Sequence, residues 1–179
     1  MIDDRQKRLM EVAREPHYRV EKAPHGSDWR HGSGEIRSCG DRITLHIRLL
    51  EDQVVEARYE GIGCALALAS AELLCRALLG LSQEAAKARV AAWQAYLAGD
   101  AETPEFSEQA ARPGGTDRSG GTSGPNGMDR GEETPGPGEA ASTDCLDSLE
   151  PLALVRSYPA RKSCVLLAFD CAREAFASD

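Results

Sequence analysis

Residues 107–143 decide how much of this chain can fold together. They hold nine of its 17 glycines and four of its nine prolines, and apart from proline their one apolar side chain larger than alanine is Met128. So little apolar surface cannot offset the entropy of ordering the segment, which predicts a disordered insertion, with a partner-docking loop as the functional alternative. The folded part is then a single domain made of residues 1–106 and 144–179, an ordinary domain size. No internal repeat is visible.

Outside the insertion the pattern is strands first and helices later, which reads as α+β. Arg5 to Arg14 is a short helix with Leu9, Met10, Val12 and Ala13 available for packing. Glu35 to Ser38 reads as a short first strand. Arg42 to Leu49 alternates cleanly, with Ile43, Leu45, Ile47 and Leu49 on one face and Arg42, Thr44, His46 and Arg48 on the other, the signature of a half-buried antiparallel strand. Glu51-Asp52 is the expected turn, and Val55, Ala57 and Tyr59 continue the alternation back toward Gly61. Ala65 to Leu79 is apolar nearly all round and stops at Gly80, as a buried helix does. Ser82 is placed to cap a further helix with the stripe Ala86, Val90, Trp93 and Leu97. Leu149 to Val155 reads as helical, Pro159 breaks it, and Cys164 to Ala177 is a last helix with the stripe Val165, Phe169, Ala172 and Phe176.

The charge balance, 21 Lys+Arg against 29 Asp+Glu for a net −8, argues against a nucleic-acid-binding domain, whose polyanionic partner calls for a basic face. No charge-free apolar run is long enough to span a membrane. The start, Met1-Ile2-Asp3-Asp4-Arg5, lacks the basic-then-apolar layout of a secretory signal, so the expected location is the cytoplasm, where thiols stay reduced. The six cysteines are therefore read as metal, redox or packing residues. Cys39 lies in the Cys39-Gly40-Asp41 turn between candidate strands, Cys64 follows Gly61-Ile62-Gly63 at the start of one helix, and Cys164 opens another. A thiol at a helix N-terminus meets the positive end of the macrodipole, which favours thiolate. Three thiolates and the Asp41 carboxylate make a four-coordinate set suited to zinc or an iron–sulfur cluster. Spacing alone leaves that site open against scattered core cysteines, because no C-x-x-C pair is present. Cys75 and Cys171 sit among alanines and leucines and read as small hydrophobes, while Cys145 at the insertion's edge stays open between the two readings, with packing favoured. His17, His25 and His31 lie in a polar stretch and His46 on the expected solvent face of its strand. No phosphate loop, nucleophile elbow or paired-carboxylate motif occurs.

Three segments carry a resemblance. Cys39-Gly40-Asp41-Arg42-Ile43 leads into the alternating strand. Tyr59-Glu60-Gly61-Ile62-Gly63-Cys64-Ala65 runs on to Ala69-Ser70-Ala71. Tyr158-Pro159-Ala160-Arg161-Lys162-Ser163-Cys164 opens the last helix. In this order and at these intervals the chain resembles the iron–sulfur cluster assembly scaffold family of the SufU and IscU type, which includes the N-terminal domain of NifU, and most closely its SufU branch. The resemblance implies a small antiparallel sheet of about three strands packed against a layer of helices. It implies Cys39, Asp41, Cys64 and Cys164 as ligands of Zn2+ or a [2Fe–2S] cluster, with Arg161 beside them. Its expected partners are a SufS-like cysteine desulfurase and iron–sulfur acceptor proteins, with no nucleic acid and no membrane. Three functions follow: a zinc-dependent sulfur carrier with Cys39 as sulfur acceptor, since its turn is the freest to move; a scaffold on which a [2Fe–2S] cluster is built and handed on; and a member whose zinc is purely structural. The chain departs from the family in having Ser163 where histidine or lysine is usual, and in lacking the Leu-Pro-Pro-Val-Lys segment of the IscU branch.

Overall fold

The computed structural model describes residues 4–104 and 149–178; the proposed insertion 107–143 and Cys145 lie outside the described residues. Three antiparallel strands, β1 (Trp29–Ile36), β2 (Asp41–Leu50) and β3 (Gln53–Ile62), pair in the order β1-β2-β3. Helices α1 (Asp4–Arg14), α2 (Ala65–Leu78), α3 (Gln83–Ala98) and α4 (Lys162–Ala177) complete the α+β architecture, with 3-10 turns at Glu150–Ser157 and Pro159–Arg161.

The alternation in β2 does what its period requires. Ile43, Leu45 and Ile47 are fully buried and form the core with α2 and α4. The expected Glu51-Asp52 turn is present, and both residues take positive φ, 46° and 65°, the twist that lets a two-residue hairpin turn match its strands. The inward face of β3 differs from expectation. Leu49 pairs with Val54 and Arg48 with Glu56, so Val55 is an extra residue left without a partner. This bulge turns Val55 outward, 43% exposed, and sends Val54 inward beside Ala57 and Tyr59.

The first strand is also corrected. It spans Trp29–Ile36 rather than Glu35–Ser38, and residues 37–40 form the turn into β2. Few of its residues are apolar, because the α4 backbone lies directly on it. A Cβ on Gly32 would fall on the Cys171 carbonyl oxygen, 2.6 Å from the Ala175 nitrogen. His46 is corrected too. It is 1% exposed instead of solvent-facing, because β2 is the central strand and its cross-strand neighbour His31 lies over it, ring centroids 4.9 Å apart.

The helices follow their end signals. Ser82 Oγ accepts from the Ala85 amide at 3.2 Å, and Gly99 closes α3 in the left-handed region at φ 98°. The helical expectation at Leu149–Val155 is met by a tighter 3-10 turn, and α4 begins two residues before Cys164. Buried polar groups lock the layers. Ser70 Oγ donates to the Val165 carbonyl at 2.8 Å, tying α2 to α4. Glu72 in α2 accepts from the amides of His17 at 2.6 Å and Tyr18 at 3.1 Å. Each bond satisfies a group whose burial would otherwise be destabilising. The first of them holds the middle of α2 against the first turn of α4, where Cys164 sits.

Candidate metal centre

Four chain segments converge at one end of the sheet. The turn after β1 places Cys39, whose amide and that of Gly40 both donate to the Ile36 carbonyl, at 3.3 and 2.8 Å. Gly40 takes φ 77°, a conformation that disfavours side chains, and that reverses the chain into Asp41, the first residue of β2. Gly61 brings β3 close to this corner: a Cβ there would collide with the Arg42 carbonyl and stand 3.0 Å from Ile43 Cα. The chain then passes Gly63 to Cys64, the N-cap of α2, while Cys164 stands in the first turn of α4.

The structure brings three of the four expected ligands together. One donor atom each from Cys39, Asp41 and Cys164 lies within 4.8 Å of the others. Cys64 is not in this mutually close set, but its amide donates to Asp41 Oδ1 at 3.1 Å. The Asp41 side chain is 3% exposed, and its Oδ2 has no hydrogen-bond partner among the described residues. Gly63 leaves the space it occupies, since a Cβ there would stand 3.3 Å from Asp41 Cγ.

Electrostatics point the same way. Burial pushes the Asp41 carboxyl up, but the nearby Cys64 thiol and its hydrogen-bonding amide, then the Cys39 and Cys164 thiols close by, outweigh it and hold the group below its ordinary value. Cys164 moves the other way: burial first, then the neighbouring Cys64 thiol and the Asp41 charge, push it up to about 12. The thiolate expected at the helix N-terminus is thus opposed, before any metal binds, by burial beside other acidic groups. An orphaned buried carboxylate oxygen and crowded thiols are the donor set a thiophilic cation would satisfy, and binding it would release their protons. Zinc, or an iron–sulfur cluster as cargo, therefore fits the residues present.

Arg161 precedes α4 and is exposed; it makes no ion pair with the described residues. It borders a largely apolar cavity of about 440 Å3 that also meets Leu9, Leu66, Tyr158 and Cys64. Lys162 turns away from the site and donates to the Ala98 carbonyl at 2.7 Å, closing the C-terminal end of α3. Cys75 and Cys171 are fully buried, as expected of packing residues, with Cys171 Sγ on the Ile43 carbonyl at 3.4 Å. The Cys64 amide bond to Asp41 had no signal in the sequence beyond the glycines preceding Cys64.

The family described as the NifU-like N terminal domain matches residues 6–110. The iron-sulfur cluster assembly scaffold protein IscU of Thermotoga maritima is 40% identical over 47 residues, 26% of this chain and 33% of that protein. The zinc-dependent sulfurtransferase SufU of Bacillus subtilis is 43% identical over 49 residues, 27% of this chain and 33% of that protein. A Streptococcus pyogenes IscU scaffold is 28% identical over 138 residues, 77% of this chain and 63% of that protein. The chain thus matches about a third of the length of the first two. In fold it is similar to a putative SUF-system scaffold protein from Fervidobacterium islandicum, at 20% identity with TM-score 0.61, covering 94% of this chain and 93% of that one. It is likewise similar to a NifU-like N-terminal protein from Brucella abortus, at 18% identity with TM-score 0.63, covering 96% and 90%.

Proposed function

Because the chain belongs to the NifU-like N-terminal domain family, we propose that it works in iron–sulfur cluster assembly as a SufU-type sulfur acceptor, receiving persulfide sulfur from a SufS-like cysteine desulfurase. Cys39, Asp41, Cys64 and Cys164 hold Zn2+ in this reading, and Arg161 stands at the edge of the site. The observation that carries it is the contrast within the cluster: Cys39 is exposed on an open turn, whereas Asp41 and Cys164 are buried. One donor is thus placed to meet a partner while others hold the corner of the fold. Bound zinc would keep the site's thiols deprotonated.

The transfer balances as thiol–disulfide exchange. The Cys39 thiolate attacks the outer sulfur of the desulfurase persulfide, a new sulfur–sulfur bond forms on Cys39, and the desulfurase cysteine leaves as thiolate. Asp41 is held on one oxygen by the Cys64 amide, and its other oxygen, without a hydrogen-bond partner among the described residues, is left to the metal.

A second reading, a scaffold on which a [2Fe–2S] cluster is built and passed to acceptor proteins, is favoured by the carboxylate itself. A hard oxygen among soft thiolates is the more weakly held donor for a cluster and gives the cargo an exit. The two readings separate when wild-type, Cys39→Ser and Asp41→Ala proteins are mixed with a cysteine desulfurase and cysteine, with and without ferrous iron. Iron-free stimulation of sulfide release that needs Cys39, with persulfide on this protein, is expected. Cluster absorbance that needs iron and persists longer in Asp41→Ala, with no iron-free stimulation, would reject the carrier in favour of the scaffold.

A further inference from the structure

Cys39 follows the first strand and Cys164 opens the last helix, yet their sulfur atoms lie within 4.8 Å of each other, together with an Asp41 oxygen. Access differs between them. Cys39 is exposed, and a Cβ on the adjacent Gly40 would meet nothing within 4 Å, so the turn has room to adjust. Cys164 is 5% exposed and sits behind it. An accessible thiol backed by a close buried one is the arrangement in which oxidation of the first is resolved by the second.

We infer that Cys39 and Cys164, when the site holds no metal, form a reversible disulfide on exposure to a hydroperoxide. The Cys39 thiolate attacks the peroxide, so that a sulfur–oxygen bond forms, the oxygen–oxygen bond breaks and hydroxide departs. The Cys164 thiol then attacks the Cys39 sulfenic sulfur. The disulfide bond forms, the sulfur–oxygen bond breaks, and the proton of Cys164 leaves with that oxygen as water. Two thiols lose two electrons in all, and hydrogen peroxide is reduced to two waters. A dithiol reductant reverses the bond. Closing the sulfurs to the roughly 2 Å of a disulfide requires side-chain rotation and a small movement of the 37–40 turn. The bond removes two of the three clustered donors, so the oxidised chain no longer offers its metal site.

Pairing should be selective. Cys39 is the exposed thiol and reacts first. Cys64 neighbours Cys164 but is only partly exposed and lies outside the set that includes Cys39, and Cys75 and Cys171 are fully buried in the core. The inference rests on the geometry of the cluster and holds whichever function the site serves.

The test uses the full chain, stripped with a chelator, reduced, and treated anaerobically with a few equivalents of hydrogen peroxide before alkylation and peptide mapping. Two alkylatable thiols should be lost and the Cys39 and Cys164 peptides linked, with a mass decrease of about 2 Da that dithiothreitol reverses. The link should persist in Cys64→Ser and vanish in Cys164→Ser. A Cys64–Cys164 or Cys39–Cys64 link, an intermolecular Cys39 dimer, or Cys39 oxidised onward to sulfinic acid without a partner would overturn the inference. Mapping the wild type decides the matter even where a variant fails to fold. Zinc-reloaded protein should lose these thiols at least ~10-fold more slowly, because ligation withholds the thiolate. Equal rates with the Cys39–Cys164 link present would support the disulfide while rejecting the zinc ligand set proposed above.

Discussion

Replacing Gly32 with alanine tests how the sheet sets the height of α4, and with it the position of Cys164. The added methyl would overlap the Cys171 carbonyl oxygen and stand 2.6 Å from the Ala175 nitrogen and 2.9 Å from the Cys171 carbonyl carbon. All three atoms are backbone, so no rotamer change relieves the contact; α4 must move as a body. Overpacking of this kind costs about 3 kcal/mol, the upper end of its usual range. The smaller entropy of the unfolded alanine chain returns about 0.5 kcal/mol, since Gly32 has no φ that alanine cannot adopt. A net loss of roughly 2.5 kcal/mol corresponds to a Tm lower by about 10 °C for a domain of this size. Gly34→Ala is the control. Its methyl would meet Leu167 Cδ1 at 2.8 Å and Cys171 Sγ at 3.2 Å, and the leucine end can swing aside, so its cost should stay below about 1 kcal/mol. Thermal unfolding followed by circular dichroism, with zinc content measured on the same samples, reads both effects. Gly32→Ala should bind zinc more weakly because Cys164 rides on the displaced helix, whereas Gly34→Ala should retain it. A Gly32→Ala protein as stable as wild type, or a Gly34→Ala protein that is the less stable of the two, would refute the argument that β1 is glycine-rich to admit the α4 backbone.

Cys64→Ser and Cys164→Ser should each abolish stoichiometric metal binding and lower stability, while Cys75→Ala leaves the metal in place, as elemental analysis of purified proteins would show. His46 carries a pH signature. Burial first, then the charge of His31, lower it to about 4. Since the unfolded side chain titrates near 6.5, its contribution is intact above that pH and is lost as pH falls toward 4, about 3 kcal/mol in all. Urea midpoints between pH 7.5 and 4.5 should therefore fall more steeply for wild type than for His46→Gln, and parallel slopes would remove His46 from the account. Deleting residues 107–143 and bridging the ends with a short Gly/Ser linker should leave the circular dichroism spectrum and metal content unchanged, because the segment has almost no apolar surface to contribute. A cooperative loss of structure would show that it packs.

Local chemistry made several elements legible from the sequence alone. A strict two-residue alternation at Ile43, Leu45 and Ile47 has one placement that buries it, and Gly80 and Ser82 are residues suited to ending one helix and starting the next. The cysteine motifs likewise marked which thiols differ from packing residues. The first strand was not legible, because Gly32 and Gly34 carry no hydrophobic pattern; β2 on one side and the α4 backbone on its face make that segment a strand. Burial of His46 depends on His31 from the neighbouring strand, and the inward turn of Val54 on a bulge, both products of register between strands. The metal corner was decided at the same level. The sequence named Cys39, Asp41, Cys64 and Cys164, but packing of α4 on the sheet joins Cys164 to the Cys39 turn, and the α2 N-terminus lends Asp41 its Cys64 amide. Burial there opposes the helix dipole on Cys164, and only the tertiary structure sets how deep a side chain lies.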